Sequence, residues 1–451
     1  MRERFDISCL LRRLAVAAVL PFLAGCGALP PVPIAERDFI LAVIPDTQNM
    51  VDYRHQKAAG FKFDANDLFV GEMRYLADNA RSAGGKVAFV AAVGDVWQHQ
   101  TAEMEADHAA RGHRAMPNPY FSMELEVSPK ARTVEMPAAL AGYRLLDGRV
   151  PFGVAPGNHD YDAMWADASF PPVPPQELGK FMAAHPQTPV EFRPDLIGML
   201  HIGGLDNFRS VFGADSAFFK GKDWYVASYH GGADSAQIFS AGGYTFLHIA
   251  LEMQPDDGVL AWADGVMAAH RGLPTIVTTH DYLNGAGERR GNPIVDLKRI
   301  DDRHNDPEDL WRKLIRRHDQ IFLVLCGHQR GQAMRVDANA AGHQVVQILA
   351  DYQDRGQSAV DAGVPPGLRG RPVPIGDGWL RLMHFDFAGA VPSVQVKTYS
   401  PHYRRHSGEI SDYAKWYKAI EQPAMSDAEF FAADDYRFTL PDFRDRFGPP
   451  R

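Results

Sequence analysis

Cysteine is almost missing: the 451 residues hold three, Cys9, Cys26 and Cys326. Two of them fall near the N-terminus, so neither a disulfide framework nor a thiolate zinc cluster orders the body of the chain. Positive charge is also in deficit, with 47 Lys and Arg against 56 Asp and Glu and a formal net charge of −9. No run of Lys and Arg with interleaved aromatics interrupts that acidity, which excludes a dedicated surface for nucleic-acid backbones. No apolar run reaches bilayer-spanning length, and no segment repeats another. What is present, 45% hydrophobic and 23% charged residues, is the composition of a folded globular protein with one large core or two modest ones.

The N-terminus reads as an address. Arg12 and Arg13 precede an apolar stretch from Leu14 to Leu23, too short for a mature spanning helix, which is the pattern of a signal peptide. Leu23-Ala24-Gly25-Cys26 resembles the bacterial lipobox. That resemblance implies removal of residues 1–25 and a lipid anchor to the membrane through Cys26. Residues 26–37, with Pro30, Pro31 and Pro33, suit a tether. The expectation is an exported, membrane-anchored lipoprotein of the periplasm or cell envelope.

After the tether, short apolar runs alternate with stretches of helical period, the mark of a layered α/β domain. The strand-like runs are Phe39 to Ile44, Val87 to Val93, Val150 to Ala155, Trp224 to Ser228, Tyr244 to Leu251, Thr275 to Thr279, Ile321 to Cys326, Val345 to Leu349, Leu380 to Phe385 and Val394 to Tyr399. That is many for one sheet, so the fold class expected is α/β (α+β layered), with two packed mixed β-sheets flanked by helices. Helical spacing appears in Phe69, Met73, Leu76 and Ala80, and again in Val259, Trp262, Val266 and Met267. A third helix has a cap at Asp306, Pro307 in its first turn and Arg316 and Arg317 near its end. Three long segments, 101–137, 171–210 and 284–305, read as irregular lids or binding loops. Residues 38–400 are expected to form the main domain, and 401–451 a C-terminal extension that wraps it.

The placement of metal-ligand residue types carries the functional signal. Five of the strand-like runs end at Asp46, Asp95, Asn158, His280 and His328. Ligands bind at the carboxyl ends of strands in α/β sheets, so five such ends gather carboxylate, amide and imidazole donors in one crevice. Those donors, without thiolate, suit a divalent manganese, iron or zinc ion. Gly94 and Gly327 are expected to supply the sharp turns that aim the following side chains.

Taken in order, Asp46-x-Gln48, Gly94-Asp95, Gly157-Asn158-His159-Asp160, His280 and Gly327-His328 resemble the motifs of calcineurin-like metallophosphoesterases, over roughly Phe39 to Tyr399. The resemblance implies a two-sheet sandwich with a site for one or two divalent metals and hydrolysis of a small-molecule phosphoester, monoester or diester, by metal-activated water. One metal would take Asp95, Asn158, His280 and His328. The other would take Asp46, Asp95 and the residues at 48 and 330. His159 would be the general acid that protonates the leaving alkoxide. Asp160 would orient that imidazole, or else close its own turn.

The chain departs from the family at the second metal. The usual Asp-x-His is Asp46-Thr47-Gln48, and the usual Gly-His-x-His is Gly327-His328-Gln329-Arg330. An amide oxygen from Gln48 can coordinate a hard ion, whereas the guanidinium of Arg330 has no lone pair to give. Either Asp351 or Gln353 completes a weak second site, or one metal acts with Arg330 clamping phosphoryl oxygens. Arg330 has a salt bridge to a carboxylate as its plainer role. The Arg that follows the Gly-Asp pair in the family's protein phosphatases is absent after Asp95, which argues against a phosphoprotein substrate. His108, His113, His201 and His343 read as surface or loop residues. The alternative to hydrolysis is a degenerate relative that binds a phosphorylated or cell-envelope ligand without turnover.

Overall fold

The computed structural model describes residues 37–120, 125–188, 190–367 and 370–450. The expected leader, Cys26 and nearly all of the tether lie outside the described residues. Two seven-stranded sheets face each other. The first has the order Arg405–His406, Ser393–Ser400, Leu380–Asp386, Asp38–Ile44, Val87–Ala92, Phe152–Val154, with Asp435–Thr439 also paired to Ser393–Ser400. The second has the order Gly331–Ala338, Gln344–Asp351, Ile321–Cys326, Thr275–Thr278, Tyr244–Ala250, Asp234–Ala241, Tyr225–Tyr229. The protein is thus a mixed α/β sandwich, as the strand count implied.

Strand periodicity explains the layering. Alternate side chains of a strand point to opposite faces, and in Asp38–Ile44 the odd positions Phe39, Leu41 and Val43 enter the core between the sheets. The even positions Ala42 and Ile44 join a second core, where Phe69, Met73 and Leu76 of the helix Asn66–Asp78 cover the outer face. On the other sheet Leu247, Ile249 and Val277 turn outward, under Val259, Ala263 and Met267 of the helix Asp257–Ala269. Both faces of the central strands are covered, so they read as continuous apolar runs. The third helix, Pro307–Lys313, has the expected cap, with Asp306 accepting from the Asp309 N–H at 2.8 Å.

Parallel pairing positions the site. Asp38–Ile44, Val87–Ala92 and Phe152–Val154 run parallel, as do Tyr244–Ala250, Thr275–Thr278, Ile321–Cys326 and Gln344–Asp351. Each set therefore opens its carboxyl ends along one edge of its sheet.

Two expectations need correction. Segments 101–137 and 171–210 are not wholly irregular: Ala115–Met116, Ala163–Asp167 and Leu200–Gly203 form a third, three-stranded sheet, and Pro175–Ala184 and Asp206–Phe212 are helices. These elements are too short to show a period above noise. His201 lies on one of those strands and is fully buried, not in a loop. The edge strand Gly331–Ala338 also escaped the sequence reading, because polar residues alternate along its half-exposed length.

Residues beyond Ser400 contribute to the cores. Asp435–Thr439 adds a strand, and Leu440 and Phe443 enter the inter-sheet core. Tyr413 and Tyr417 of the helix Tyr413–Glu421 surround the buried Arg355, whose guanidinium lies 3.8 Å from the Tyr352 ring centroid and pairs with Glu421 at 2.7 Å.

One buried group opposes this packing. Glu72 is fully buried, neither of its oxygens has a hydrogen-bond partner among the described residues, and burial pushes its carboxyl well above the usual range. A raised folded-state pKa gives stability that is full below the ordinary carboxyl pKa and is lost as pH rises through the folded value. Glu72→Gln is therefore expected to raise the unfolding free energy at pH 8 by about 1 kcal/mol or more, with the gain fading toward pH 4 in denaturant titrations. An equal gain at both pH values would show that charge is not the cause.

Candidate metal centre

The five strand ends converge. His280 Nε2 lies 3.2 Å from Asp95 Oδ2, 3.1 Å from Asn158 Oδ1 and 4.0 Å from Asp46 Oδ2. Asp95, His280 and His328 each present a donor atom within 4.8 Å of the others. The rings of His280 and His328 stand 4.9 Å apart. Residues from both sheets thus meet at one point, with Asp95 in the middle.

The backbone around that point is held in sparsely populated conformations. Asp95 (φ 51°) and His328 (φ 68°) occupy the left-handed region, which costs a non-glycine residue about 1 kcal/mol or more. Local bonds hold them there. The Asp95 carbonyl accepts from the N–H groups of Thr47 (2.9 Å) and Gln48 (2.8 Å), and the His328 N–H donates to Asp46 Oδ2 at 3.0 Å. Gly94 has φ +114° as a sharp turn requires, but Gly327 is needed for a different reason than expected. A Cβ there would collide with Asp46 Oδ1 and lie 2.5 Å from Val93 Cγ2. Gly157 is needed likewise, since its Cβ would meet Asp95 Oδ1 and sit 2.7 Å from His280 Cε1.

The donor set fits a cation. His280 Nδ1 donates to the Val93 carbonyl at 2.8 Å, which leaves the Nε2 lone pair facing the cluster, the orientation a metal-ligating histidine takes. Asp46 Oδ1, Gln48 Oε1 and His328 Nε2 are buried with no partner among the described residues. Burial, and then Asp351, push the Asp46 carboxyl well above its ordinary range. Burial acts the same way on Asp95, but His280, His159 and His328 overcome it and hold that carboxyl below the usual range. Burial lowers His280, and Asp95 and Asp46 more than reverse it, to about 10. The field that favours a proton on this imidazole favours a divalent cation in its place.

The remaining residues surround this centre. His159 is buried, donates its backbone N–H to Asp95 Oδ1 at 2.8 Å, and keeps Nδ1 without a partner among the described residues. Its ring stands 5.4 Å from that of His99, and burial lowers its pKa. The Asp160 carboxylate accepts from the backbone N–H groups of Val96 and Gly157, both at 2.8 Å, so it ties two loops together. Arg330 pairs with Asp354 and lies over the Phe192 ring at 5.2 Å, on the wall of the same cavity. Gln48 Nε2 donates to Gln353 Oε1, and Gln353 Nε2 donates to Asp351 Oδ2 at 2.9 Å. Gln353 thus stands beside Gln48, where the sequence offered it as one of two replacements. Gln98, whose amide braces Asn49 at 3.1 Å, was missed; nothing separates it from an ordinary loop amide in the sequence. The cavity has a volume of about 1110 Å³ and is lined by Gln48, Asp95, Asn158, His159, His328 and Arg330 among others.

No family model matches the chain. Over 206 residues it is 27% identical to a Bacillus subtilis (strain 168) protein described as uncharacterized protein YvnB. The match covers 44% of this chain and 13% of that protein, so this chain spans a small part of its relative's length.

Gly157→Ala tests the geometry without touching a ligand. Its backbone, at φ −96°, accepts alanine, but the new Cβ would lie 2.6 Å from the Asp95 backbone N as well as against the Asp95 and His280 side chains, so the Asp95 loop must shift. We expect a loss of metal affinity of about tenfold or more together with a lowered thermal midpoint, read by metal titration and melting. Unchanged affinity would mean that Asp95 and His280 do not share an ion.

Proposed function

We propose that the protein is a metal-dependent phosphoric ester hydrolase, exported and tethered through Cys26, that acts on small-molecule phosphate monoesters or diesters. The observation that carries this reading is the meeting of Asp46, Asp95, Asn158, His280 and His328 from two sheets, with unpartnered donor atoms turned toward one another. Asp95, Asn158, His280 and His328 would hold the firmer ion, and Asp46, Gln48, Asp95 and Gln353 a weaker one. A bound manganese, iron or zinc ion supplies Lewis acidity toward a phosphoryl oxygen and makes water more acidic.

The chain's own residues do the rest. The Asp95 carboxylate positions His159 through its backbone N–H, leaving the imidazole beside the cavity. The His159 imidazole, which lines the cavity, would give a proton to the leaving oxygen. Asp160 keeps that loop fixed by binding two N–H groups on either side of it. Arg330, on the cavity wall, supplies positive charge for phosphoryl oxygens, shared with Asp354. Among the described residues no helix is long and apolar enough to cross a membrane.

Hydrolysis of an aryl phosphate, an alkyl phosphate and the matching diesters tests this. Asp95→Asn is expected to abolish turnover. His159→Ala is expected to slow alkyl esters by about 10²-fold or more and aryl esters much less, because a phenolate leaves without a proton. Activity surviving Asp95→Asn would refute the reading. Metal binding without turnover of any ester would favour a binding protein instead.

A further inference from the structure

A second cluster of donors lies outside the centre already described. The hairpin between Tyr225–Tyr229 and Asp234–Ala241 turns through His230, Gly231 and Gly232, all with positive φ (46°, 70° and 101°). Tyr229 pairs opposite Asp234 in the ladder, so the turn returns the His230 imidazole over the first residue of the next strand. Glu252 follows the neighbouring strand Tyr244–Ala250 and donates its N–H to Asp234 Oδ1 at 2.9 Å. Three segments thereby bring one imidazole and two carboxylates together.

We propose that His230, Asp234 and Glu252 form a separate divalent-cation site, suited to zinc or manganese, that braces this hairpin. His230 Nδ1 lies 3.7 Å from Asp234 Oδ2 and 3.7 Å from Glu252 Oε2. Those spacings are too long for hydrogen bonds. They approach the donor-to-donor edge of about 3.3–3.6 Å that metal–ligand bonds of about 2.0–2.2 Å produce. All three donor atoms fall within 4.8 Å of one another. Asp234 is fully buried, and its Oδ2, turned toward the imidazole at 3.7 Å, has no hydrogen-bond partner among the described residues.

Charge decides between this cluster and a similar one. His108, His201 and Asp301 also gather within 4.8 Å, but Arg111 already pairs with Asp301 and neutralises it. Among the described residues, the ion pairs of Asp234 and Glu252 are to His230 alone. Two adjacent carboxylates, one fully buried, are costly without a cation or a proton, and burial followed by Glu252 pushes the Asp234 carboxyl well above its ordinary range. The imidazole is 39% exposed, which gives an ion a path from solvent. One aspartate, one glutamate and one histidine form a donor set for borderline or hard ions.

The site stands independently of the proposed hydrolase. The experiment is zinc titration of the chelator-stripped full chain by calorimetry, with metal analysis, in an Asp95→Asn/His280→Ala background that takes a ligand from both ions of the other centre. One zinc equivalent is expected to remain. Adding His230→Ala or Glu252→Gln should weaken it by about tenfold or more and abolish any zinc-induced rise in thermal midpoint. His230 is partly exposed, so its removal leaves the core intact. The proposal is overturned if the double variant binds no zinc, or if His230→Ala and Glu252→Gln both bind it as the double variant does. Absence of ester turnover, or of a His280-dependent equivalent, would tell against the hydrolase reading and leave this site standing.

Discussion

One buried carboxylate organises the centre of this protein. Asp95 accepts from Thr47 and Gln48 through its carbonyl, binds the His159 N–H with one oxygen and faces His280 and Gln48 with the other. Removing it would release loops from both sheets at once. Its own backbone is strained, its side chain is desolvated, and three imidazoles keep it charged. Such a group persists only where the surroundings over-determine it, which is the condition of functional sites.

The charge inventory extends that point. Asp46, Asp95 and Asp351 are buried near one another, and Arg330, the nearest candidate cation in the motifs, is paired with Asp354. Gln48 and Gln353 bond to each other, and Gln353 reaches on to Asp351. Amide oxygens are weaker donors than imidazole nitrogen toward borderline ions. The two halves of the centre therefore differ in strength, with the Asn158, His280 and His328 half the better equipped.

Much of the layering was legible because the central strands are buried on both faces. Runs such as Phe39 to Ile44 and Ile321 to Cys326 announce themselves by apolar continuity, and the ligand types follow them directly. The capped helix after Asp306 was legible through local chemistry. What escaped was short or non-local. Ala163–Asp167 and Leu200–Gly203 carry too few residues for a period, and Gly331–Ala338 alternates as a solvent-facing edge does. The role of Gly327 was readable only in three dimensions, since it depends on Asp46 approaching from 281 residues away in the chain. The grouping of His230, Asp234 and Glu252 depends likewise on a hairpin register that no spacing reveals.

The central claim is that these buried donors bind a cation that the chemistry needs. Its most direct measurement adds manganese or zinc stepwise to chelator-treated protein while following phosphate release from an aryl ester and metal bound per chain. We predict that release is absent at the start and rises in proportion to ion occupancy, reaching a plateau when the Asp95 centre is filled. Release that proceeds at full rate before any metal is added, or a chain that takes up no ion, would contradict the account.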